Sequence, residues 1–191
     1  MGEQLKNPDI RYIEDMKEVL YDRDWLEKTD NFEAYYMYRG IKKKAGLRYD
    51  ITEMPFKMFG REFPKTKGHY HPNDYGEVYQ VLKGRAIYLL QDRELEDVVT
   101  IETGPGEVVI IPPGYGHVTI NPGPKTLKMA NWVSPEFDSL YEPILEKKGA
   151  AYFHTTDGWI KNPNYDKLPK IRKEEPEKGL PEDLEFLKNN Q

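Results

Sequence analysis

Three of the four histidines in this 191-residue chain belong to one arrangement. His69 and His71 stand in Lys67-Gly68-His69-Tyr70-His71, Glu77 follows a turn, and His117 comes later beside a second turn. Successive side chains on a β-strand alternate faces, so His69 and His71 should project the same way from one strand. Past Pro72-Asn73-Asp74-Tyr75-Gly76, Glu77 can return on the neighbouring strand. Three imidazoles and a carboxylate form a ligand set for a divalent transition metal such as iron, manganese, nickel or zinc. A lone histidine is usually structural or merely exposed, but three with this spacing are hard to explain that way.

These residues must be held by short strands. Val, Ile, Tyr, Thr and Phe concentrate in the segments 34–40, 47–53, 62–69, 77–91, 98–102, 107–112, 117–121 and 128–134. Gly, Pro, Asn and Asp punctuate them, as in Thr103-Gly104-Pro105-Gly106 and Asn121-Pro122-Gly123. Many short strands at this spacing predict an antiparallel sandwich or barrel spanning residues 31–160. Residues 1–30 read as an arm packed across it, with Met16, Val19, Leu20, Trp25 and Leu26 as anchors. Asp22 is placed to cap a short helix over residues 23–28. Residues 161–191 are rich in Lys, Glu and Pro and read as a charged, solvated extension. Pro181 to Leu187 could add one short helix there.

Composition narrows the function. The chain has no cysteine, which excludes disulfides, iron–sulfur ligation and thiol nucleophiles and fits a reducing cytoplasm. No apolar run approaches the roughly 20 residues needed to span a bilayer, and the polar N-terminus shows no signal peptide. A net charge of -5 argues against a general nucleic-acid binder.

Two segments carry a resemblance. Gly106, Pro112, Gly114, His117 and Asn121 match the second cupin motif, and His69, His71, Glu77 and Gly84 match the first. There are two departures. Phe63 stands where a glycine is usual, and five residues separate His71 from Glu77. The chain therefore resembles a single-domain cupin. The resemblance implies an all-β double-stranded β-helix, or jelly-roll barrel, with His69, His71, Glu77 and His117 as metal ligands lining its interior.

The flanking residues narrow it further. Thr66-Lys67-Gly68-His69-Tyr70-His71, and Glu77-Val78-Tyr79 running into Leu82-Lys83-Gly84, resemble the archaeal cupin-type glucose-6-phosphate isomerases. So do Asp15-Met16, Asp22-Arg23-Asp24-Trp25, the cluster Tyr35/Tyr36/Tyr38, and Tyr141 ahead of Glu146-Lys147-Lys148-Gly149. The likeness covers roughly residues 11–165. It implies one divalent metal per subunit, iron(II) first, with manganese(II), nickel(II) or zinc(II) as alternatives. It implies phosphate contacts from Thr52, Thr66 and Gly68, cavity lining by Tyr35 and Tyr141, and catalytic roles for Glu77 and Tyr79. Lys67 would point outward if Thr66 and Gly68 point in, so its direction is left open.

The family carries a histidine shortly before the residue matching Tyr141. Here the neighbourhood is Asp138-Ser139-Leu140, which leaves assistance to ring opening unassigned. His154 falls outside the motifs and reads as structural. The implied reaction interconverts glucose 6-phosphate and fructose 6-phosphate, in glycolysis and gluconeogenesis, through a cis-enediol. The partner is a small sugar phosphate, with no nucleic acid and no membrane, and the expected assembly is a cytoplasmic homodimer. Two other classes use the same ligands: a non-catalytic sugar-phosphate-binding cupin and an iron-dependent dioxygenase.

Overall fold

Gly84 divides what reads as one apolar strand into two that belong to different sheets. Its backbone takes φ +81, and a Cβ there would lie 2.7 Å from the Thr126 carbonyl oxygen. The first piece is β4 (Glu77–Lys83) and the second is β5 (Ala86–Gln91). The computed structural model describes residues 7–188 apart from Asn73. The first six residues of the predicted arm, Asn73 of the predicted turn and the last three of the predicted extension lie outside the described residues.

The other strands of the main body are β1 (Asp9–Tyr12), β2 (Glu33–Lys44), β3 (Leu47–Met54), β6 (Val98–Thr103), β7 (Glu107–Ile111), β8 (Gly116–Ile120) and β9 (Leu127–Val133). Towards the C-terminus come β10 (Tyr152–Thr155), β11 (Gly158–Lys161), β12 (Arg172–Glu174) and β13 (Glu177–Lys178). One sheet has the order β1-β2-β3-β9-β4-β7-β13, the second β12-β6-β5-β8, and β10-β11 form a hairpin. The main sheets make a jelly-roll-like sandwich, in agreement with the all-β cupin expectation.

The core between the sheets explains why these strands form. All six residues of β5 and all five of β8 are buried. Tyr88, Leu89, Ile111, Ile120, Leu127 and Met129 are fully enclosed in one apolar cluster. Each such side chain contributes about 1.5–3 kcal/mol relative to exposure.

The arm packs as expected. Ile13, Met16 and Val19 of a 3₁₀ helix (Ile13–Val19) are buried, with Leu20 beside them. Helix α1 (Arg23–Leu26) is capped by Asp22, whose carboxylate accepts from the Trp25 N–H at 3.2 Å.

Two expectations are corrected. Residues 62–69 do not form a continuous strand. Pro64 lacks an N–H, and Gly68 takes φ +83, so the segment crosses the barrel mouth by isolated bridges, Lys65 to Ile120 and His69 to His117. The C-terminal extension is not simply solvated. β12 adds in parallel to β6, and β13 adds antiparallel to β7. Leu187 is fully buried against Leu47, Val78 and Val108. The short helix foreseen over residues 181–187 is a single 3₁₀ turn, Glu185–Leu187.

Candidate metal centre and its cavity

Backbone pairing brings the first and last histidines together. The His117 N–H donates to the His69 carbonyl at 3.0 Å, and the His69 N–H donates back at 3.3 Å. Directly paired residues in adjacent extended segments place their side chains on one face. Tyr70 turns the other way, its hydroxyl bonded to the Asp92 carbonyl and the Gln91 amide, so His71 returns beside His69. Glu77 opens β4 between Ile111 of β7 and Val133 of β9.

The four side chains converge on one point. His71 Nε2 and His117 Nε2 each lie 3.3 Å from Glu77 Oε2, and His69 Nε2 lies 3.3 Å from His71 Nε2. One donor atom from each residue falls within 4.8 Å of every other. Ligands about 2.1 Å from a shared ion sit about 3–4 Å apart, so these spacings suit one ion. Glu77 Oε2 is buried with no well-directed hydrogen-bond donor, as expected of a carboxylate oxygen reserved for a cation. The residues fit a divalent metal. His71 Nδ1 faces the Tyr75 carbonyl at 3.2 Å, which makes Nδ1 the protonated nitrogen and leaves the Nε2 lone pair for the ion.

Electrostatics match. Burial holds the His69 imidazole well below the ordinary histidine range, and neighbouring His117 adds to this. Burial also lowers His117, against an opposing pull from Glu77. Burial alone would raise the Glu77 carboxyl, but the close approach of His117 and His71 outweighs it and leaves the group strongly acidic. His69 and His117 are thus held neutral beside an ionised carboxylate, the protonation state a metal requires.

A partly open cavity of about 80 Å³ surrounds the cluster. Thr52, Thr66, Gly68, Tyr79 and Tyr141 line it, as do His69, His71, Glu77 and His117. The Tyr79 hydroxyl lies 3.3 Å from His117 Nε2, and burial with the nearby Glu77 charge keeps the phenol protonated. Thr66 Oγ1 accepts from the Thr119 N–H at 2.9 Å, which leaves its own hydrogen free to donate. Gly68 is needed as glycine, since a Cβ would meet Val118 Cγ2 at 2.6 Å. Lys67 also lines the cavity, because the left-handed turn at Gly68 breaks the strand alternation. Tyr35 and Ser139 line it too, whereas His154 is stacked between Phe63 and Trp159 at 4.8 and 4.4 Å, outside the lining.

Sequence reading missed Asn131, Asp50 and Arg11. Asn131 Nδ2 donates to Glu77 Oε1 at 2.6 Å. Its signal was a polar residue in phase with Met129 and Val133, the apolar inward positions of β9. Asp50 is buried and accepts from the Gly40 N–H at 2.7 Å and from Arg48 Nε at 2.9 Å. Arg11 of β1 lies against the cleft wall, with its guanidinium 6.0 Å from the Tyr141 ring centre.

Comparison with known proteins places these features in a family. The profile described as Glucose-6-phosphate isomerase (GPI) matches residues 10–170. The glucose-6-phosphate isomerase of Thermococcus litoralis is 37% identical over 123 residues, covering 61% of this chain and 64% of that one. The one from Pyrococcus furiosus is 32% identical over 168 residues, covering 83% and 88%. The matches to the Thermococcus litoralis and Pyrococcus abyssi proteins thus span just under two thirds of those chains, 64% and 63%. A solved oxalate oxidase structure superposes with TM-score 0.47 at 16% identity, covering 58% of this chain and 56% of that one. With a profile match across most of its length, the chain belongs to the glucose-6-phosphate isomerase (GPI) family.

Proposed function

We propose that the protein is a metal-dependent glucose-6-phosphate isomerase that interconverts glucose 6-phosphate and fructose 6-phosphate. The observation that carries this reading is a single cavity holding both a His₃Glu cluster and the Thr66–Gly68 segment, a set of anion-binding donors. The relatives that carry the same name support the substrate.

A divalent ion held by His69, His71, Glu77 and His117, iron(II) first and manganese, nickel or zinc as alternatives, supplies Lewis acidity toward the substrate oxygens. The protein does the rest. The Thr66 and Thr52 hydroxyls and the Gly68 N–H hold the phosphate, orienting C1 and C2 over the cluster. The Tyr79 hydroxyl donates to a sugar oxygen as negative charge grows there. Glu77 takes the proton from C2 and returns it to C1, while a proton passes from O2 to O1, so that a cis-enediol intervenes. Tyr141, with its ring 5.5 Å from that of His69, closes the wall beside the reacting carbons. The enzyme serves glycolysis and gluconeogenesis in the cytoplasm, as a homodimer.

A direct hydride shift between C2 and C1 is the second reading, favoured by the low proton affinity of Glu77. Solvent deuterium separates the two: the enediol route labels the product at the transferred position, and a hydride shift leaves it unlabelled.

The deciding experiment assays the interconversion on chelated protein, then after adding each metal. Metal-restored turnover is expected, with Glu77→Gln losing far more turnover than metal. A metal-loaded protein inert with every ion would overturn the isomerase reading. Oxygen uptake would turn it toward the dioxygenase, and sugar-phosphate binding alone toward a sensor.

A further inference from the structure

One side chain of the N-terminal arm, Arg11, lies against two residues of the cavity wall, Tyr35 and Tyr141. Arg11 of β1 lies opposite Tyr35 of β2 in the sheet register, and the Tyr35 hydroxyl accepts from the Lys67 N–H at 3.2 Å. The Arg11 guanidinium carbon is 6.0 Å and the Lys67 ammonium 5.6 Å from the centre of the same ring, that of Tyr141. Two cations therefore stand against the same wall residue, and each feels the other's charge.

Neither is matched by an acid. Among the described residues, no carboxylate lies within 4.0 Å of the Arg11 or Lys67 charge, whereas Arg39, Arg48, Arg61 and Arg172 all have acidic partners at that range. Asp15, close in sequence, accepts instead from the Tyr12 N–H at 2.9 Å. The Arg11 guanidinium hydrogen-bonds the Tyr35 hydroxyl and feels Asp15 at longer range, but its buried Nε has no hydrogen-bond partner. Like charges held together in a partly dry cleft repel, and a buried guanidinium donor left unmade is costly. Both defects disappear when an anion with several acceptor oxygens enters.

We infer that Arg11 and Lys67 form a cationic clamp for the phosphate dianion, beside the hydroxyl and N–H donors of Thr66 and Gly68, so that the arm is part of the substrate site. This rests on the sugar-phosphate reading of the cavity and adds to it the charge that selects a phosphorylated over a neutral sugar. Arginine offers a planar fork and lysine a point charge, a pairing suited to one tetrahedral dianion.

The arm is fixed for this role. Lys65 Nζ donates to the Val19 carbonyl at 2.7 Å, and the Glu62 carboxylate accepts from the Tyr21 N–H at 2.8 Å. Lys65 and Glu62 themselves form a buried ion pair at 2.5 Å. This tie joins the arm to the very segment that carries Thr66 and Gly68.

The test uses the full chain, metal-free, titrated with inorganic phosphate by calorimetry. Arg11→Met and Lys67→Met should each weaken phosphate binding at least tenfold, and Arg11→Lys should weaken it less. Arg85→Met, in the exposed turn between β4 and β5, should leave phosphate affinity within twofold and controls for net charge. With manganese bound, the two methionine variants should raise KM for glucose 6-phosphate, the larger part of the loss falling there rather than on kcat. Manganese affinity and near-ultraviolet dichroism close to those of the parent show that the fold is intact. Phosphate affinity within twofold of the parent in both methionine variants overturns the clamp. If phosphate binding depends on Arg11 but the parent never turns over glucose 6-phosphate, the clamp stands and the isomerase reading falls.

Discussion

Asn131 Nδ2 donates a 2.6 Å hydrogen bond to Oε1 of Glu77, which turns the other carboxylate oxygen toward His71 and His117. β9 and β4 are adjacent strands, with Asn131 in register with Tyr79. One amide thus sets the orientation of the acidic ligand without touching the ion position.

Removing that amide should weaken metal binding. In Asn131→Leu, Oε1 is left buried without its donor, and the carboxylate is free to rotate. Loss of an orienting partner typically costs about 10–100-fold in metal affinity. Manganese(II) titration of the chelated protein measures this. Affinity equal to the parent's would show that the sheet, and not Asn131, holds Glu77.

Gly68 should resist even the smallest substitution. At φ +83 an L-residue is strained by about 1–2 kcal/mol. The added methyl group would also press on Val118 Cγ2 at 2.6 Å and the His117 carbonyl at 3.4 Å. Gly68→Ala should lower both the thermal midpoint and metal affinity, because His117 is displaced. In a Val118→Ala background the same substitution should cost less, the backbone strain remaining. Equal costs in both backgrounds would remove the steric part of the explanation.

How far the molecule can be read from sequence depends on what each residue's role requires. The convergence of His69, His71, Glu77 and His117 was legible because a set of residues able to hold a metal needs particular side chains at particular spacings. The division at Gly84 was not, since both flanking segments are apolar and only the tertiary fold sends them to different sheets. Pro64 and Gly68 did carry the signal that 62–69 is no regular strand, but β-propensity around them masked it. β12 and β13 were invisible because Arg172–Glu174 and Glu177–Lys178 are charged and exposed, and the partners that hold β12, such as Asp97 for Arg172, are distant in sequence. Asn131 and Arg11 come from distant strands, and nothing local ties them to the cluster.

The C-terminal segment should contribute to stability. Leu187 is fully buried against Leu47, Val78 and Val108. Leu187→Ala should cost about 2–3 kcal/mol as a large-to-small core change. For a domain of this size that lowers the thermal midpoint by about 4–12 °C. Differential scanning calorimetry reads the shift, and a change under 1 °C would mean that Leu187 is not packed in solution.

Acid should destabilise the metal-free protein through the buried histidines before it reaches the carboxylates. His69 and His117 are held below their ordinary value by burial, so the folded chain keeps them neutral where the unfolded chain, with histidines near about 6.5, takes up protons. The unfolded state then binds more protons, and stability falls as pH drops below about 6.5. Glu77 acts in the same direction but lower down, because its depressed value stabilises the fold only where the unfolded carboxyl, near about 4.3, is ionised. The interval from pH 6.5 to 5 carries the histidine contribution, opposed by the buried Asp50 and Glu62 carboxyls, which burial holds above the ordinary range. Against the parent, His69→Gln should show a smaller loss of thermal midpoint across it, since one of the histidines that burial lowers is gone. Equal pH profiles in parent and variant would mean that the His69 imidazole is not held neutral by burial. Metal affinity would then be expected to fall with acid as it does for exposed histidines.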